Sequence, residues 1–164
     1  MIQSPQHTLT SVAVRAPLGL HLVFADGAAF DVDMAPVIAT HGALRALNDQ
    51  GLFARARLDA RGGYAIWLDD ELELAADNLR NLAVEQAGGI GHERLWNWMA
   101  DNHLTQEQAA EAMGTSRRML NYYLSGAKTI PKTVWLACVG WQSQQRKRRR
   151  HARKRAPAPS NVAA

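Results

Sequence analysis

Apolar and polar residues alternate along the first third of the chain. Leu18, Leu20, Leu22 and Phe24 are separated by single residues, as are Phe30, Val32 and Met34, with Val12 and Val14 ahead of them. A period of two puts successive side chains on opposite faces of a strand, so residues 9–35 are predicted as an antiparallel meander. Asp26-Gly27 is a two-residue hairpin signal, since both residues tolerate positive φ. Asp31 and Asp33 fall between the apolar positions, which makes one face buried and the other wet and acidic. Pro36 opens a predicted helix with Val37, Ile38, Leu44 and Leu47 on its apolar side, ended by Asn48-Asp49-Gln50-Gly51. A further strand pair follows. Arg55, Arg57 and Asp59 share its wet face, Gly62-Gly63 turns the chain, and Tyr64-Ala65-Ile66-Trp67-Leu68 returns. Ala75, Leu79, Leu82 and Ala83 then restore helical spacing over 74–86. The pattern predicts an α+β domain over residues 8–87, with one mostly antiparallel sheet and a helix across it. Its length of about 80 residues is enough to hold its own core.

Gly88-Gly89-Ile90-Gly91 reads as a flexible joint, and residues 88–92 as the linker. Beyond it the period changes to that of helices. Leu95, Trp98 and Met99 share one side of a helix over 93–102. Thr105 and Gln108 have the spacing of a capping box, in which each satisfies a free backbone N–H near the other. Ala109, Ala112 and Met113 continue that helix, and Gly114 stops it with left-handed backbone angles. Ser116 caps the next helix. Leu120, Tyr123 and Leu124 form its buried side, and Gly126 follows its end. Two helices so closely joined must cross steeply, and Ala110 is small enough for the crossing. Pro131 begins a last helix to about Trp141, apolar all round at Val134-Trp135-Leu136-Ala137-Cys138-Val139, so it is expected to be covered on more than one side. Residues 142–164, basic and then Ala-Pro repeats, are expected to be a disordered tail.

The exposed side of the second short helix carries Arg117, Arg118 and Asn121, with Tyr122 beside them. Arginine bonds bidentately to guanine and asparagine to adenine in the major groove, and the first turn of a recognition helix is where such side chains belong.

The stretch LTQEQAAEAMGTSRRMLNYYLSGAKTIP resembles the Cro/C1-type (lambda repressor-like, XRE) helix-turn-helix domains of bacterial and phage regulators. The resemblance covers residues 93–141 and rests on Thr105-Gln106, Ala110, Gly114, Ser116, Leu120, Tyr123, Gly126 and Pro131. It implies an all-α domain that binds double-stranded DNA, usually as a dimer. Carried onto this chain, it puts Gln106 on phosphate, Arg117, Arg118 and Asn121 on base edges, and Lys128 on phosphate in the following loop. Ser116 and Tyr122 complete the expected DNA-binding set. The chain departs from the family pattern at Thr115, Leu124 and Ala109, where an aliphatic residue, Glu and Leu are common. Residues 8–85 also resemble a small bacterial domain of unknown function often found beside toxin–antitoxin pairs.

Charge sharpens this picture. Residues 1–92 hold six arginines and 11 acids, a net of −5, whereas residues 93–164 hold 13 Lys/Arg and 4 acids, a net of +9. Only the second half therefore suits a polyanion. Residues 146–155 alone carry eight Lys/Arg and no acid, and phosphate contact is the favoured role for them. The single Cys138 excludes an internal disulfide and suits a reducing cytosol. No apolar run approaches the roughly 18 residues of a membrane span, and MIQSPQHT lacks the features of a signal peptide.

Catalytic chemistry is not visible. The histidines His7, His21, His41, His92, His103 and His151 show no metal spacing, so neither metal nor cofactor is expected. Asp69-Asp70-Glu71-Glu73, the densest carboxylate cluster, reads as the solvated end of a strand. The expectation is a cytoplasmic bacterial transcriptional regulator, not an enzyme, acting as a homodimer. The family likeness adds an antitoxin-like autorepressor whose first domain meets a toxin-like protein. Trp135 or Trp141 is expected to anchor the dimer. The alternatives are an RNA-binding or nonspecific nucleic-acid-binding protein driven by the basic tail, or an enzyme with its site in residues 8–87.

Overall fold

A computed structural model describes residues 4–67 and 71–155. The expected strand end at Leu68, the acids Asp69 and Asp70, and the tail from 156 to 164 lie outside the described residues. The protein is α+β, with antiparallel sheets first and helices after them. A 3₁₀ turn at Pro5–His7 leads into β1 (Leu9–Arg15), β2 (Gly19–Phe24) and β3 (Ala29–Asp33), paired antiparallel in the order β1-β2-β3. The predicted alternation sets their register. Leu20 lies opposite Val32 and Leu22 opposite Phe30, and Leu9, Leu20, Leu22, Phe24, Val32 and Met34 are buried together. The hairpin after Phe24 uses three residues rather than two, because Phe24 N–H bonds to the Ala28 carbonyl and Gly27 takes φ 85.

The helix expected from Pro36 to Leu47 breaks in two. α1 (Ala35–Thr40) ends at His41, and Gly42–Asn48 is a 3₁₀ helix. Leu44 and Leu47, both buried, are three apart, and three residues per turn brings them into line toward the core. α2 (Gln50–Phe53) follows, capped by Asp49. The single expected sheet is in fact two. β4 (Arg57–Leu58), β5 (Tyr64–Trp67) and β6 (Leu72–Ala75) form a second three-stranded sheet in that order. The strand β6 is not apparent from the sequence, because four residues of alternation are too few to separate from the helix that follows. α3 (Ala76–Gln86) buries Ala76, Leu79 and Ala83 in the same core. Its Arg80 reaches back to the hairpin, bonding Asp26 at 2.8 Å and lying over the rings of Phe24 and Phe30. Gln86 straps α3 to β3 through the N–H and carbonyl of Asp33.

The second hydrophobic cluster belongs to four helices: α4 (His92–Asp101), α5 (Gln106–Met113), α6 (Arg117–Leu124) and α7 (Lys132–Arg155). Leu95, Ala109, Leu120 and Cys138 are fully enclosed there. Burial pushes the Cys138 thiol up to about 11, which leaves it protonated and unreactive. The expected end of the last helix near Trp141, with disorder from residue 142, is corrected: α7 continues to Arg155. Residues 142–155 contain neither proline nor glycine and are rich in Gln, Arg and Lys, which lose little side-chain freedom in a helix. Cations also lie favourably at the negative end of the helix dipole. Among the described residues, no helix is long and apolar enough to cross a membrane.

Gly88, Gly89 and Gly91 are each hydrogen-bonded to α3, through the Glu85 carbonyl, the Val84 carbonyl and the Glu85 carboxylate. Gly91 N–H bonds Glu85 Oε1 at 3.0 Å, Glu93 N–H bonds Asn81 Oδ1 at 3.1 Å, and Asn78 donates to Glu93 at 2.8 Å. Arg94 pairs with Glu85. A Cβ on Gly91 would stand 2.0 Å from Asn81 Oδ1, so glycine is what allows α3 to come so close.

Candidate nucleic-acid interface

α5 and α6 are built by local chemistry. Thr105 Oγ1 accepts from Gln108 N–H at 3.2 Å, and Gln108 Oε1 accepts from Thr105 N–H at 2.9 Å, which completes the predicted capping box. Gly114 takes φ 66 and ψ 34 and ends α5. Two residues later Ser116 Oγ accepts from Met119 N–H at 3.2 Å and starts α6. Ala109, Ala110 and Met113 from α5 and Leu120, Tyr123 and Leu124 from α6 are buried against each other and against α4. Once that side is enclosed, the geometry of α6 leaves the opposite side in solvent.

That solvent side carries Arg117, Arg118 and Asn121, all exposed, with Tyr122 half-buried beside them. Ser116 and Lys128 are also exposed, and Gln106 is half-buried at the first position of α5. Of the expected set, Ser116, Arg118, Tyr122 and Lys128 come together at one place, and Gln106, Arg117 and Asn121 lie outside it. Arg118 donates through Nε and an η nitrogen to Tyr122 Oη at 3.3 and 3.2 Å. Lys128 places its ammonium 5.1 Å from the centre of the same ring, and its N–H bonds the Tyr122 carbonyl at 3.1 Å. Together with Ser116, Met119 and Ala127 these residues line a shallow cavity of about 470 Å³. Arg117 turns the other way and pairs with Glu107 on α5 at 2.9 Å. Glu107 belongs to no motif in the sequence; only the crossing of the two helices brings it to Arg117.

Contacts beneath this surface also escape a reading of the sequence. Gln6 donates to the Ser125 carbonyl, just past the end of α6, and Trp96 Nε1 donates to the Leu124 carbonyl at 3.0 Å. His7 and His92 lie with ring centres 5.3 Å apart under Gly126. Burial is the main cause lowering both imidazoles below their ordinary 6.5. Trp135 and Trp141, either of which is expected from the sequence to anchor a dimer, are half-buried against their own chain. Trp141 packs edge-on against Trp98 at 5.7 Å, and Trp135 lies under the guanidinium of Arg94. Among the described residues, the large apolar side chains that α7 exposes are Leu136 and Val139. Among the described residues no group of three or more His, Cys, Asp or Glu side chains is placed to hold a metal ion. Of the carboxylate cluster, Glu71 and Glu73 are exposed.

The architecture defines a mixed α+β protein with antiparallel sheets followed by helices. No protein-family model and no curated protein matches the chain. A solved crystal structure does: a putative DNA binding protein from Nitrosomonas europaea is 35% identical, superimposes with a TM-score of 0.75, and the match covers 96% of each chain. The chain belongs to the family of that Nitrosomonas protein.

Proposed function

We propose that this chain is a sequence-specific DNA-binding protein, a bacterial transcriptional regulator of the cytoplasm that reads the major groove with α6. One observation carries the reading. The first turns of α6 hold Arg117, Arg118 and Asn121 in solvent while Leu120, Tyr123 and Leu124 fix the helix from behind. Those three side chains offer the geometry that base edges require, and Gln106, Ser116, Tyr122 and Lys128 surround them with further donors. The name of the Nitrosomonas relative supports a DNA partner. In this reading residues 93–141 are a Cro/C1-type helix-turn-helix domain and residues 8–87 a separate domain joined by 88–92. The acidic first domain meets a protein partner rather than DNA, as an antitoxin-like autorepressor would require. The protein acts as a homodimer, because one helix-turn-helix touches few base pairs.

The test is selection of bound fragments from random duplex DNA, followed by footprinting. A recurring sequence protected by the protein supports the reading, and its loss with Asn121→Ala ties it to α6. A second reading is favoured by α7, whose basic turns extend to Arg155. They suit any nucleic acid, RNA included. Equal affinity for duplex DNA and RNA with no footprint supports that reading.

A further inference from the structure

Arg117 and Arg118 are adjacent in sequence and both exposed, yet their surroundings differ in sign. Arg117 is held by a carboxylate, Glu107 Oε1, 2.9 Å away on the neighbouring helix. Arg118 is held by a neutral hydroxyl, Tyr122 Oη, and the ring that carries this hydroxyl has the ammonium of Lys128 on it as well. Among the described residues, neither Arg118 nor Lys128 forms an ion pair. Two uncompensated cations beside one aromatic ring, both lining one shallow cavity, make that cavity attractive to an anion. A phosphate, with several acceptor oxygens, suits that position. The Arg117–Glu107 pair has the opposite character. A phosphate approaching Arg117 meets the carboxylate and is repelled. A guanine edge carries no net charge and meets a much smaller penalty, and arginine matches its two acceptors.

We propose that the two arginines are divided by their partners: Arg118, Tyr122 and Lys128 form a cradle for one phosphate of the duplex backbone, while Arg117 reads a base edge under the control of Glu107, which determines specificity by excluding phosphate. The inference rests on the DNA-binding reading above and deepens it. It also departs from the family likeness, which puts both arginines on bases. Glu107 touches no base in this account. It acts through Arg117, by orienting the guanidinium and by repelling the backbone.

The experiment uses the full chain and four variants: Glu107→Gln, Arg117→Ala, Arg118→Ala and Lys128→Ala. Each is titrated over a salt series against a selected duplex and a scrambled one, with circular dichroism melts to show that each is folded. Arg118→Ala and Lys128→Ala should weaken both duplexes by the same factor. If each supplies one phosphate contact, each should flatten the slope of log affinity against log salt by about 0.9. Arg117→Ala should weaken the selected duplex about 5- to 100-fold and the scrambled one much less. Glu107→Gln should tighten the scrambled duplex by about two- to fivefold, the range of an exposed charge, so that the ratio between duplexes falls. If Arg118→Ala removes the preference and leaves the salt slope unchanged, the cradle is wrong. If Glu107→Gln preserves the ratio, its role in specificity is wrong. A wild-type protein with no preference for any duplex overturns the DNA-reading function itself, and the inference with it.

Discussion

Gln6 donates its side-chain amide to the carbonyl of Ser125, 3.1 Å away, across 119 positions of sequence. The bond joins the first turn of the chain to the end of α6, and its neighbour His7 fills the space under Gly126. The helix with the candidate contacts is thus braced by the start of the sheet-bearing half. Charge alone predicts that this half is dispensable for binding a polyanion. The brace makes a different prediction: a truncated chain beginning at Gly91 loses affinity for duplex DNA, even though it sheds a net charge of −5. Titration of the same duplex with both chains checks it, and equal affinity would refute the brace.

Gly126 has φ 68, and a Cβ there would stand 2.9 Å from His7 Nε2. Gly126→Ala should cost about 1–2 kcal/mol for the left-handed backbone alone, with a further loss from the contact. In a His7→Ala background the second part should vanish while the first remains. Urea denaturation of the two single variants and the double variant measures the difference.

Stability should fall as the solution is acidified through the histidine range. His7 and His92 have folded values below the ordinary 6.5, chiefly through burial. The unfolded chain therefore takes up protons near pH 6.5 that the folded chain refuses until lower pH. Protons then favour unfolding, so stability is complete above pH 6.5, declines as pH falls below it, and levels off under the folded values. Asp77 opposes the shift at both rings, as do Asp26 at His7 and Glu93 at His92, while Arg80 adds to it at His7. Thermal melts between pH 8 and pH 5 should show the decline, and His7→Gln with His92→Gln should flatten it.

Trp141 should act through packing within its own chain. Its edge-on contact with Trp98 suggests that Trp141→Ala loses about 0.5–1.5 kcal/mol of aromatic pairing beyond the buried area. The melting temperature should drop while the sedimentation coefficient stays that of the wild type. If a homodimer forms through α7, Leu136→Glu and Val139→Glu should dissociate it, since both are large apolar side chains that α7 exposes. Velocity sedimentation of the three variants separates the two effects.

The held glycines make a prediction about proteolysis. A flexible joint would be cut first by a nonspecific protease, whereas residues 88–91 are tied to α3 through Glu85 and Asn81. The wild-type chain should resist cleavage there. Asn81→Ala, which removes the acceptor for Glu93 N–H, should open the site, as mass spectrometry of the fragments would show.

By itself the sequence determined the features that depend on near neighbours. Strand alternation from Leu18 to Met34, the Thr105–Gln108 box, the left-handed stop at Gly114 and the Ser116 cap are each set by residues within a few positions of one another. A strand period or a helix cap acts at that range, and the candidate contact residues Arg117, Arg118 and Asn121 are legible from the same helical period. The tertiary structure alone decided which distant residues share a place. It split the expected sheet in two around the short β4, closed Trp141 onto Trp98, tied the Gly88–Gly91 joint to α3, and set His7 beside His92. It also gave Arg117 a carboxylate and Arg118 a hydroxyl, a difference that no spacing encodes, because Glu107 meets Arg117 only when α5 and α6 cross. The helical course of residues 142–155 lies between these cases. Their composition permits either a helix or a solvated coil, and continuity with the packed turns of α7 favours the helix, since extending a helix costs far less than nucleating one.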